Sequence, residues 1–395
     1  MSAPVVAPTE GVWTQLVGQP AVVADLRAAI ADPAAMTHAW LFTGPPGSGR
    51  SVAARAFAAA LQCPAGGDGT CHECRTVLAG THADVHVVVP DGLSIGAEEA
   101  RGLIRVAGRA PSGGRWQVLV VEDADRMTES ASNAILKMIE EPPPRTVFLL
   151  CAPSLHPDDV PVTIRSRCRV IGLRTPPVEA IADVLVHRDG VDPALAAWSA
   201  AASGGHVGRA RRLARDEDAR LARKAVLDVP LRLVSLAACL DAADDLVGSA
   251  KEETEAATEA LDGSETEALK ASLGVGARGP GVVAATRGGA GQLKELERRQ
   301  KSRATRIGRD SLDRALVDLA GLYRDALVLD AAAGAPPQLN HPDRRADAEE
   351  LARRIGAEGA LRRIDAILAC RHSLERNVKP QVALEALTVA LRLPS

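Results

Sequence analysis

The sequence predicts a parallel α/β domain followed by an all-helical region. A strand pattern, a glycine-rich loop and a helix pattern follow one another between residues 38 and 63. Strand and helix patterns then alternate as far as residue 153, and beyond about residue 175 only helix patterns remain. Strands that alternate with helices predict a parallel sheet covered by helices on both faces. A chain of 395 residues is long enough for two or three domains.

Four strands are predicted from short apolar runs that end in turn residues. Such runs are typical of strands buried on both faces of a parallel sheet. The predicted strands are HAWLFTG (38–44), VHVVVPD (85–91), WQVLVVEDAD (116–125) and RTVFLLCAP (145–153). Apolar spacing and high helix propensity predict the helices. They are one within 11–40, then SVAARAFAAALQC (51–63), IGAEEARGLIRVAGRA (95–110) and ESASNAILKMIEEPP (129–143), the last being stopped by prolines.

Three domains are predicted from these patterns. Residues 1–175 form the α/β domain, residues 176–218 a small helical unit, and residues 219–395 an all-helical domain. A long mobile insertion is expected at about 250–292, where an acidic stretch (251–270) precedes a glycine-rich one (274–291). The basic stretch KELERRQKSRATR that follows is interpreted as a solvated helix face rather than a DNA site.

Composition excludes several classes of function. The net charge of −3 gives no chain-wide attraction to nucleic acid, and 2% aromatic residues offer few stacking surfaces for bases. A stand-alone DNA-binding protein is therefore disfavoured. No run of about 18 uncharged apolar residues and no signal-peptide pattern are found, so we expect a cytoplasmic protein without a membrane partner. Seven cysteines, three of them clustered, indicate a reducing compartment with a local metal site.

The stretch TGPPGSGRS (43–51) has the pattern of a phosphate-binding loop between a strand and a helix. Its glycines allow backbone N–H groups to turn toward phosphate oxygens, and a hydroxyl at its end can hold Mg²⁺. Arginine stands where such loops carry lysine, and its planar fork fits the tight turn poorly. The candidate residues are Gly44, Gly47, Gly49, Arg50 and Ser51. A glycine turn without a ligand remains the alternative.

The end of the third strand carries the acids that an ATPase of this architecture needs. Such enzymes place Asp then Glu there, to hold Mg²⁺ and to prepare the attacking water. Here either Glu122 and Asp123 are that pair in reversed order, or Asp123 is the metal acid and Ala124 takes the place of the base. On the second alignment a general base is missing, which typically costs about 10²–10⁴-fold in rate. A third interpretation is that these acids simply end a strand at the surface.

A cysteine cluster follows the helix predicted at 51–63. Cys63 ends that helix, and Cys71 and Cys74 have the C-x-x-C spacing that suits a tetrahedral Zn²⁺ site. The fourth ligand is open, because Val77 cannot bind a metal and the nearby histidines are His72 and His82. Two interpretations therefore stand: a structural zinc that staples the loop, or three reduced thiols without metal.

Several stretches together resemble the bacterial DNA polymerase III clamp-loader subunits of the AAA+ superfamily, over nearly the whole chain apart from the insertion. They are HAWLFTGPPGSGR, the cysteine insert with AGTHADVHVV, ASNAILKMIEEPPPRTVFLL, PVTIRSRC and RHSLERNVKPQVALEALTVAL. The resemblance implies an α/β P-loop AAA+ domain, a small helical lid domain and an all-α C-terminal collar domain. Arg50, Asp123-Ala124 and only three clustered cysteines favour the delta-prime type over the gamma/tau motor type.

The resemblance also implies residue roles. Arg167, with Ser166 in the Ser-Arg-Cys motif, would be an arginine finger that reaches the γ-phosphate of ATP on a neighbouring subunit. Read without the resemblance, Arg167 would be a structural ion pair. Arg209 lies near the family's second sensor position. ATP and Mg²⁺ would bind weakly or not at all to this chain and would be bound by the neighbour.

The implied function is that of a structural subunit in a five-part loader. Its partners would be the gamma/tau and delta subunits and, through the complex, the sliding clamp and primed DNA. The chain alone is expected to be neither an active ATPase nor a polymerase, so a DNA-directed DNA polymerase activity would belong to the assembled holoenzyme. The alternative is an ATP-hydrolysing motor subunit of the same loader, which would need Arg50 to replace lysine and Glu122 to act as base.

Overall fold

The computed structural model describes residues 10–32, 34–90, 92–273, 282–331 and 338–394, and for residues 282–290 it describes only the helical backbone. The chain divides into two compact units. The first holds residues up to Pro90 together with Ser94–Ala214, and the second holds residues 92–93 together with those from Arg215 onward. The helices predicted over 176–218 therefore lie largely in the first unit, beside the sheet.

The first unit contains a five-stranded sheet in which every described strand pair is parallel. Its spatial order is β2-β3-β4-β1-β5. The strands are β1 (Ala39–Thr43), β2 (Val85–Val88), β3 (Gln117–Val121), β4 (Thr146–Ala152) and β5 (Arg169–Gly172). Every residue of β1, β3 and β4 is buried, which explains their continuous apolar sequences. The sheet confirms the predicted α/β class.

The fifth strand was not among the predicted ones. Arg169–Gly172 pairs with β1 at the edge of the sheet, with Trp40 opposite Arg169. Only Ile171 of this strand is buried, so its four residues lack the continuous apolar run that marks β1. The Arg169 side chain lies over the Trp40 ring at 4.8 Å from its centroid and donates to the carbonyl of Ala35. These contacts, rather than an apolar pattern, hold this edge strand in place.

Helices cover both faces of the sheet, as predicted. They are α1 (Pro20–Ala31), α2 (Arg50–Gln62), α3 (His72–Leu78), α4 (Ala97–Ala107), α5 (Glu129–Glu140) and α6 (Val162–Arg165), with short 3₁₀ turns at Gly11–Gln15 and Ala124–Arg126. Alternate strand residues point to opposite faces. Trp40 and Phe42 of β1 pack with α1 and α2, whereas Ala39 and Leu41 pack with α4 and α5.

Three further helices complete the first unit. They are α7 (Val178–His187), α8 (Pro193–Ala202) and α9 (Val207–Arg215). A small apolar core joins them, with Ile181 and Leu185 packed against Ala196, Ala200 and Ala210. The side chain of Asp192 caps α8 by accepting from the backbone N–H groups of Ala194 and Leu195. These helices occupy most of residues 176–218, for which the sequence predicts a separate small helical unit.

The second unit is all helical in its described residues. It contains α10 (Glu217–Arg232), α11 (Leu236–Ser272), α12 (Val282–Ala331), α13 (Arg345–Glu375) and α14 (Pro380–Leu391), with a 3₁₀ turn at Pro342–Arg344. A kink at Gly356 interrupts α13. The core is built mainly from leucines, among them Leu246, Leu319, Leu351 and Leu384. Among the described residues, no helix is long and apolar enough to cross a membrane.

The expected insertion differs from the structure in its first half. Residues 251–272 continue α11, although only Thr254 and Thr258 are buried there. Polar contacts to α12 replace apolar packing there. The Arg303 guanidinium forms ion pairs with Asp262 and with Glu265, and its Nη2 lies 2.6 Å from Oε2 of Glu265. The acidic stretch is thus half of a helix pair held by charge. Residues 274–281 of the expected insertion lie outside the described residues.

Candidate functional site

The glycine loop connects β1 to α2, as the sequence predicts. Gly49 precedes the first residue of α2 and has φ of +91°, which favours glycine. Gly47 has φ of +84°, and a Cβ added there would lie 2.7 Å from the Cα of His206, just before α9. The loop is therefore shaped both by its own backbone and by the close approach of the small helical unit. Gly44 begins this loop, and Ser51 is the second residue of α2.

The positively charged side chain of the loop, Arg50, is hydrogen-bonded to the loop itself. Arg50 is the first residue of α2, and its Nη1 donates to the carbonyl oxygen of Gly44 at 2.5 Å. The hydroxyl of Ser48 is buried and has no hydrogen-bond partner within the described part of the chain. A flexible lysine ammonium at this position could point outward to a phosphate, whereas the arginine fork bridges the two ends of the loop.

The acids after β3 lie in three different environments. Glu122 forms an ion pair with Arg55 of α2, with 2.7 Å between Nε and Oε1. Asp123 has φ of +55° and lies 3.9 Å from the guanidinium of Arg126. Asp125 is held away from water, and burial raises its pKa. The carboxylate best placed in the sequence to act as a base is thus already paired with a cation.

Arg167 lies at the surface just after α6. Its side chain is 40% exposed, and its Nη2 lies 2.7 Å from Oε1 of Glu140, the last residue of α5. Its Nη1 donates to the carbonyl of Thr163 and to the hydroxyl of Ser166. The neighbouring Cys168 is different, because burial raises the pKa of its thiol to about 12. Ser166 and Arg167 of this motif are both exposed, and Arg167 carries the charge.

Arg209 lies on α9, and its backbone N–H donates to Nδ1 of His206 at 3.3 Å. His206, rather than Arg209, is the residue whose backbone closely approaches Gly47 of the glycine loop. Sequence reasoning missed His206 because no local pattern reports a contact between residues so far apart along the chain. Arg55 and Glu140 were missed for the same reason. Each forms an ion pair with a residue from a distant segment, and no local sequence pattern indicates such a pair.

The cysteine cluster has a fourth member that the sequence did not indicate. The ligand atoms of Cys63, Asp68, Cys71 and Cys74 all lie within 4.8 Å of one another. The Sγ atoms of Cys63 and Cys71 are 3.7 Å apart. Zinc–sulfur bonds of about 2.3 Å in a tetrahedron place two sulfurs roughly 3.8 Å apart. Three thiols and one carboxylate in this arrangement fit a Zn²⁺ ion.

Asp68, not a histidine, completes this group. Both ring nitrogens of His82 are used elsewhere: Nε2 contacts Glu73 at 2.6 Å and Nδ1 accepts from the backbone of Asp84. His72 is the first residue of α3 and is not in the ligand group. Backbone N–H groups of Cys71 and Thr70 lower the pKa of Asp68 to about 2, so it is ionised at neutral pH.

The thiols of the cluster differ in their electrostatics. Burial alone would raise the pKa of Cys63, but backbone hydrogen bonds from Asp68, Gly67 and Ala65 lower it overall. Burial raises the pKa of Cys74, which lies among apolar neighbours. The pKa of one buried thiol is thus lowered and that of another is raised. No comparable group of potential metal ligands is found elsewhere in the described ranges.

The first unit is a parallel five-stranded α/β domain with a glycine loop after β1. Helix α9 follows His206, which closely approaches that loop. Residues 18–177 match the family described as DNA polymerase III, delta subunit. This match and the relatives below confirm, for this part of the chain, the resemblance to DNA polymerase III subunits of the delta-prime type.

Curated relatives are subunits of DNA polymerase III. Subunit delta' of Bacillus subtilis is 34% identical over 164 residues, which are 41% of this chain and 49% of that protein. Subunit delta' of Haemophilus influenzae is 38% identical over 159 residues, covering 39% and 48% of the two chains. Subunit gamma/tau of Mycobacterium tuberculosis is 35% identical over 160 residues, covering 39% and 27%. The chain thus spans about half the length of these delta' relatives.

Among solved structures, a DNA polymerase III gamma subunit-related protein from Thermotoga maritima superposes with a TM-score of 0.41. The sequence identity is 13%, and the alignment covers 94% of this chain and 98% of that chain.

Proposed function

We propose that this chain is a delta-prime-type subunit of the DNA polymerase III clamp loader. It acts mainly as a structural subunit beside gamma/tau and delta, and it contacts the sliding clamp and primed DNA through the complex. Its chemical contribution is Arg167, donated to the ATP site of a neighbouring subunit. Because such a complex acts in replication of the chromosome, the proposed location of the chain is the cytoplasm. The domain proposal keeps an α/β domain, a helical lid and a C-terminal collar.

One observation carries this proposal: the side chain of the arginine in the glycine loop is hydrogen-bonded to the backbone of that loop. The Arg50 Nη1 donates to the carbonyl of Gly44, so its charge is directed into the loop. Glu122, the candidate base, is paired with Arg55 in the same region. The glycine-rich sequence of the loop is typical of phosphate binding, but the contacts of its arginine and of the nearby acid do not favour hydrolysis. ATP and Mg²⁺ should therefore bind weakly or not at all on this chain, at Ser51 and Asp123 if anywhere.

Arg167 has the opposite character. Its guanidinium is exposed and bound only to groups at the surface. A guanidinium offers a charged fork that matches phosphate oxygens, and a finger supplied in trans is worth about 10³–10⁵ in rate. A neighbour's triphosphate that meets this surface would gain this cation. The proposal thus assigns the catalytic contribution to the exposed arginine rather than to the loop.

The collar is proposed to hold the ring together through apolar side chains on α13 and α14. Leu361 and Leu368 are about half exposed, as are Val382 and Val389. Each pair is spaced by seven residues, which places its two members on one helix face. Exposed apolar side chains repeated along helix faces are typical of protein–protein contacts. The other loader subunits are the partners that this surface would bind.

The test compares assembled loaders that carry variants of this chain. Arg167→Ala should reduce ATP turnover strongly while assembly, measured by co-purification, remains intact. Arg165→Ala is the matched control, because Arg165 is the last residue of α6, two residues before Arg167, but donates to the carbonyl of Leu155. Val382→Asp combined with Val389→Asp should instead weaken assembly. Unchanged ATP turnover in Arg167→Ala would remove the finger assignment.

The alternative remains an ATP-hydrolysing motor subunit like gamma/tau. Similar identity to gamma/tau and delta' relatives keeps this alternative open. It needs the Arg50 contact to Gly44 and the Arg55–Glu122 pair to open when nucleotide binds. Titration of the isolated chain with ATP and Mg²⁺ distinguishes the two. Tight binding with turnover that disappears in Glu122→Gln would favour the motor, whereas the absence of both favours the structural subunit.

A structural Zn²⁺ ion is proposed at the cysteine cluster, held by Cys63, Asp68, Cys71 and Cys74. When bound, such an ion cross-links the loop between α2 and α3 and contributes folding free energy. The carboxylate of Asp68 supplies the fourth ligand, and its low pKa makes it available at neutral pH. The backbone N–H groups of Thr70 and Cys71 donate to Oδ1 of Asp68 and orient this carboxylate.

Metal analysis tests this site. Purified chain in reducing buffer should contain about one zinc per molecule, and Asp68→Asn should lower the affinity by about 100-fold or more, since even outer-shell changes cost about 10–100-fold. Asp32→Asn is the matched control, because Asp32 accepts a similar local hydrogen bond from Ala34 but lies outside the cluster. Equal affinity of the Asp68 variant and the parent would exclude Asp68 as a ligand.

A further inference from the structure

Arg167 is held by three acceptors, and only one of them comes from another element. Thr163 and Ser166 belong to the same short segment as Arg167, and both accept from its Nη1. Glu140 is the last residue of α5 and approaches Nη2 at 2.7 Å. The resting direction of the guanidinium is therefore set by one carboxylate from a different helix.

The position of Glu140 is not explained by the stability of its own helix. A carboxylate at a helix C-terminus meets the negative end of the helix dipole, which is unfavourable. The preceding residue, Ile139, is 1% exposed and packs in the core. Glu140 itself is turned outward, and its side chain is 41% exposed. Its contact with Arg167 compensates for the unfavourable position and is the interaction that the structure shows for it.

We propose that Glu140 is a positioning residue that holds Arg167 folded against α6 until a neighbour's nucleotide replaces it. This inference rests on the proposed function of Arg167. A carboxylate and a phosphate oxygen compete for the same guanidinium donors, because both are anionic acceptors of similar geometry. Nη2 lies 2.7 Å from Oε1 of Glu140, so the N–H that serves this contact is not available to a phosphate oxygen. Binding the nucleotide therefore requires the Glu140 contact to open.

The strength of the contact suits such an exchange. Both side chains are about two-fifths exposed, so water screens the ion pair. Exposed ion pairs are weak, and losing one changes an equilibrium by only a few-fold. Glu140 thus sets the direction of the Arg167 guanidinium when no nucleotide is present, yet the ion pair opens easily. A buried pair at this position would resist the release.

The test uses the assembled loader and measures ATP turnover against ATP concentration. Glu140→Gln removes the charge but keeps the size of the side chain. It should lower the KM for ATP by about two- to fivefold, the range that an exposed ion pair supports, with kcat nearly unchanged. Glu141→Gln is the matched control, since Glu141 is the exposed neighbour that follows α5. It should leave KM and kcat at the values of the parent.

A second comparison ties the effect to Arg167. In loaders with Arg167→Ala, adding Glu140→Gln should change nothing, because the group that Glu140 positions is gone. A lower kcat with unchanged KM in Glu140→Gln, no change at all, or the same shift in the Arg167→Ala background would each overturn the positioning role. An Arg167→Ala loader with normal turnover would instead refute the finger itself, which is the proposed function.

Discussion

Arg50 and Arg167 have the same side chain in two contrasting regions. Arg50 begins the helix after the glycine loop and donates to a backbone carbonyl inside that loop. Arg167 follows a one-turn helix at the surface and shares its charge with an exposed carboxylate. A backbone carbonyl belongs to the frame and cannot leave, whereas an exposed ion pair exchanges partners easily. The difference teaches that one arginine stabilises the shape of its loop, whereas the other is exposed in a contact that can exchange, as our proposal of a donated arginine requires.

The glycine loop should therefore respond to mutation mainly in stability, and Gly47→Ala is expected to give the largest effect. Alanine would have to adopt φ of +84° and accommodate the Cα of His206 at 2.7 Å. We expect a loss of about 2–4 kcal/mol in the free energy of unfolding, measured by urea denaturation. Gly49→Ala separates the two causes, because Gly49 has φ of +91° but no atom within 4 Å of its Cβ position.

Gly49→Ala should accordingly cost only the backbone term, about 1–2 kcal/mol. Equal losses in the two variants would show that the approach of His206 is unimportant. A negligible loss in both would show that the loop is not the rigid frame described above, and the comparison with Arg167 would then fail.

The Arg55–Glu122 pair should give a smaller effect. Glu122 is only 12% exposed and Arg55 is 42% exposed, so solvent screens the pair from one side. Arg55→Ala should lower the free energy of unfolding by about 1 kcal/mol. In a Glu122→Gln background the same substitution should cost less, because the carboxylate that needs a partner is gone. Arg101→Ala, at an exposed position of α4, is the control and should be nearly neutral.

An additive result in this cycle would mean that the two side chains do not interact. It would also leave Glu122 available as a base and strengthen the motor alternative. A coupled result sharpens the comparison, because it shows that the acid beside the loop is used for structure.

Sequence patterns predicted those parts of the fold that repeat an apolar signal. The strands β1, β3 and β4 are continuous apolar runs, and their burial follows directly from composition. The edge strand β5 was missed because it has one buried residue and is held by contacts to Trp40 and Ala35. The extension of α11 was missed because Arg303 and acidic partners on α11 replace apolar spacing there.

The candidate site was predicted where a motif is local. The glycine loop, the three cysteines and Arg167 each lie in short recognisable stretches. Asp68 was missed because a lone aspartate between cysteines has no fixed ligand spacing. The pairs of Arg167 with Glu140 and of Arg55 with Glu122 join distant segments, and only the folded chain brings them together.

The most direct test compares Arg50→Ala and Arg167→Ala in otherwise identical assembled loaders, with ATP turnover as the readout. We predict that Arg50→Ala keeps turnover within about twofold, whereas Arg167→Ala lowers turnover at the site it faces by about 10³-fold or more. The reverse pattern, loss with Arg50→Ala and normal turnover with Arg167→Ala, would contradict the assignment of a structural loop and a donated finger.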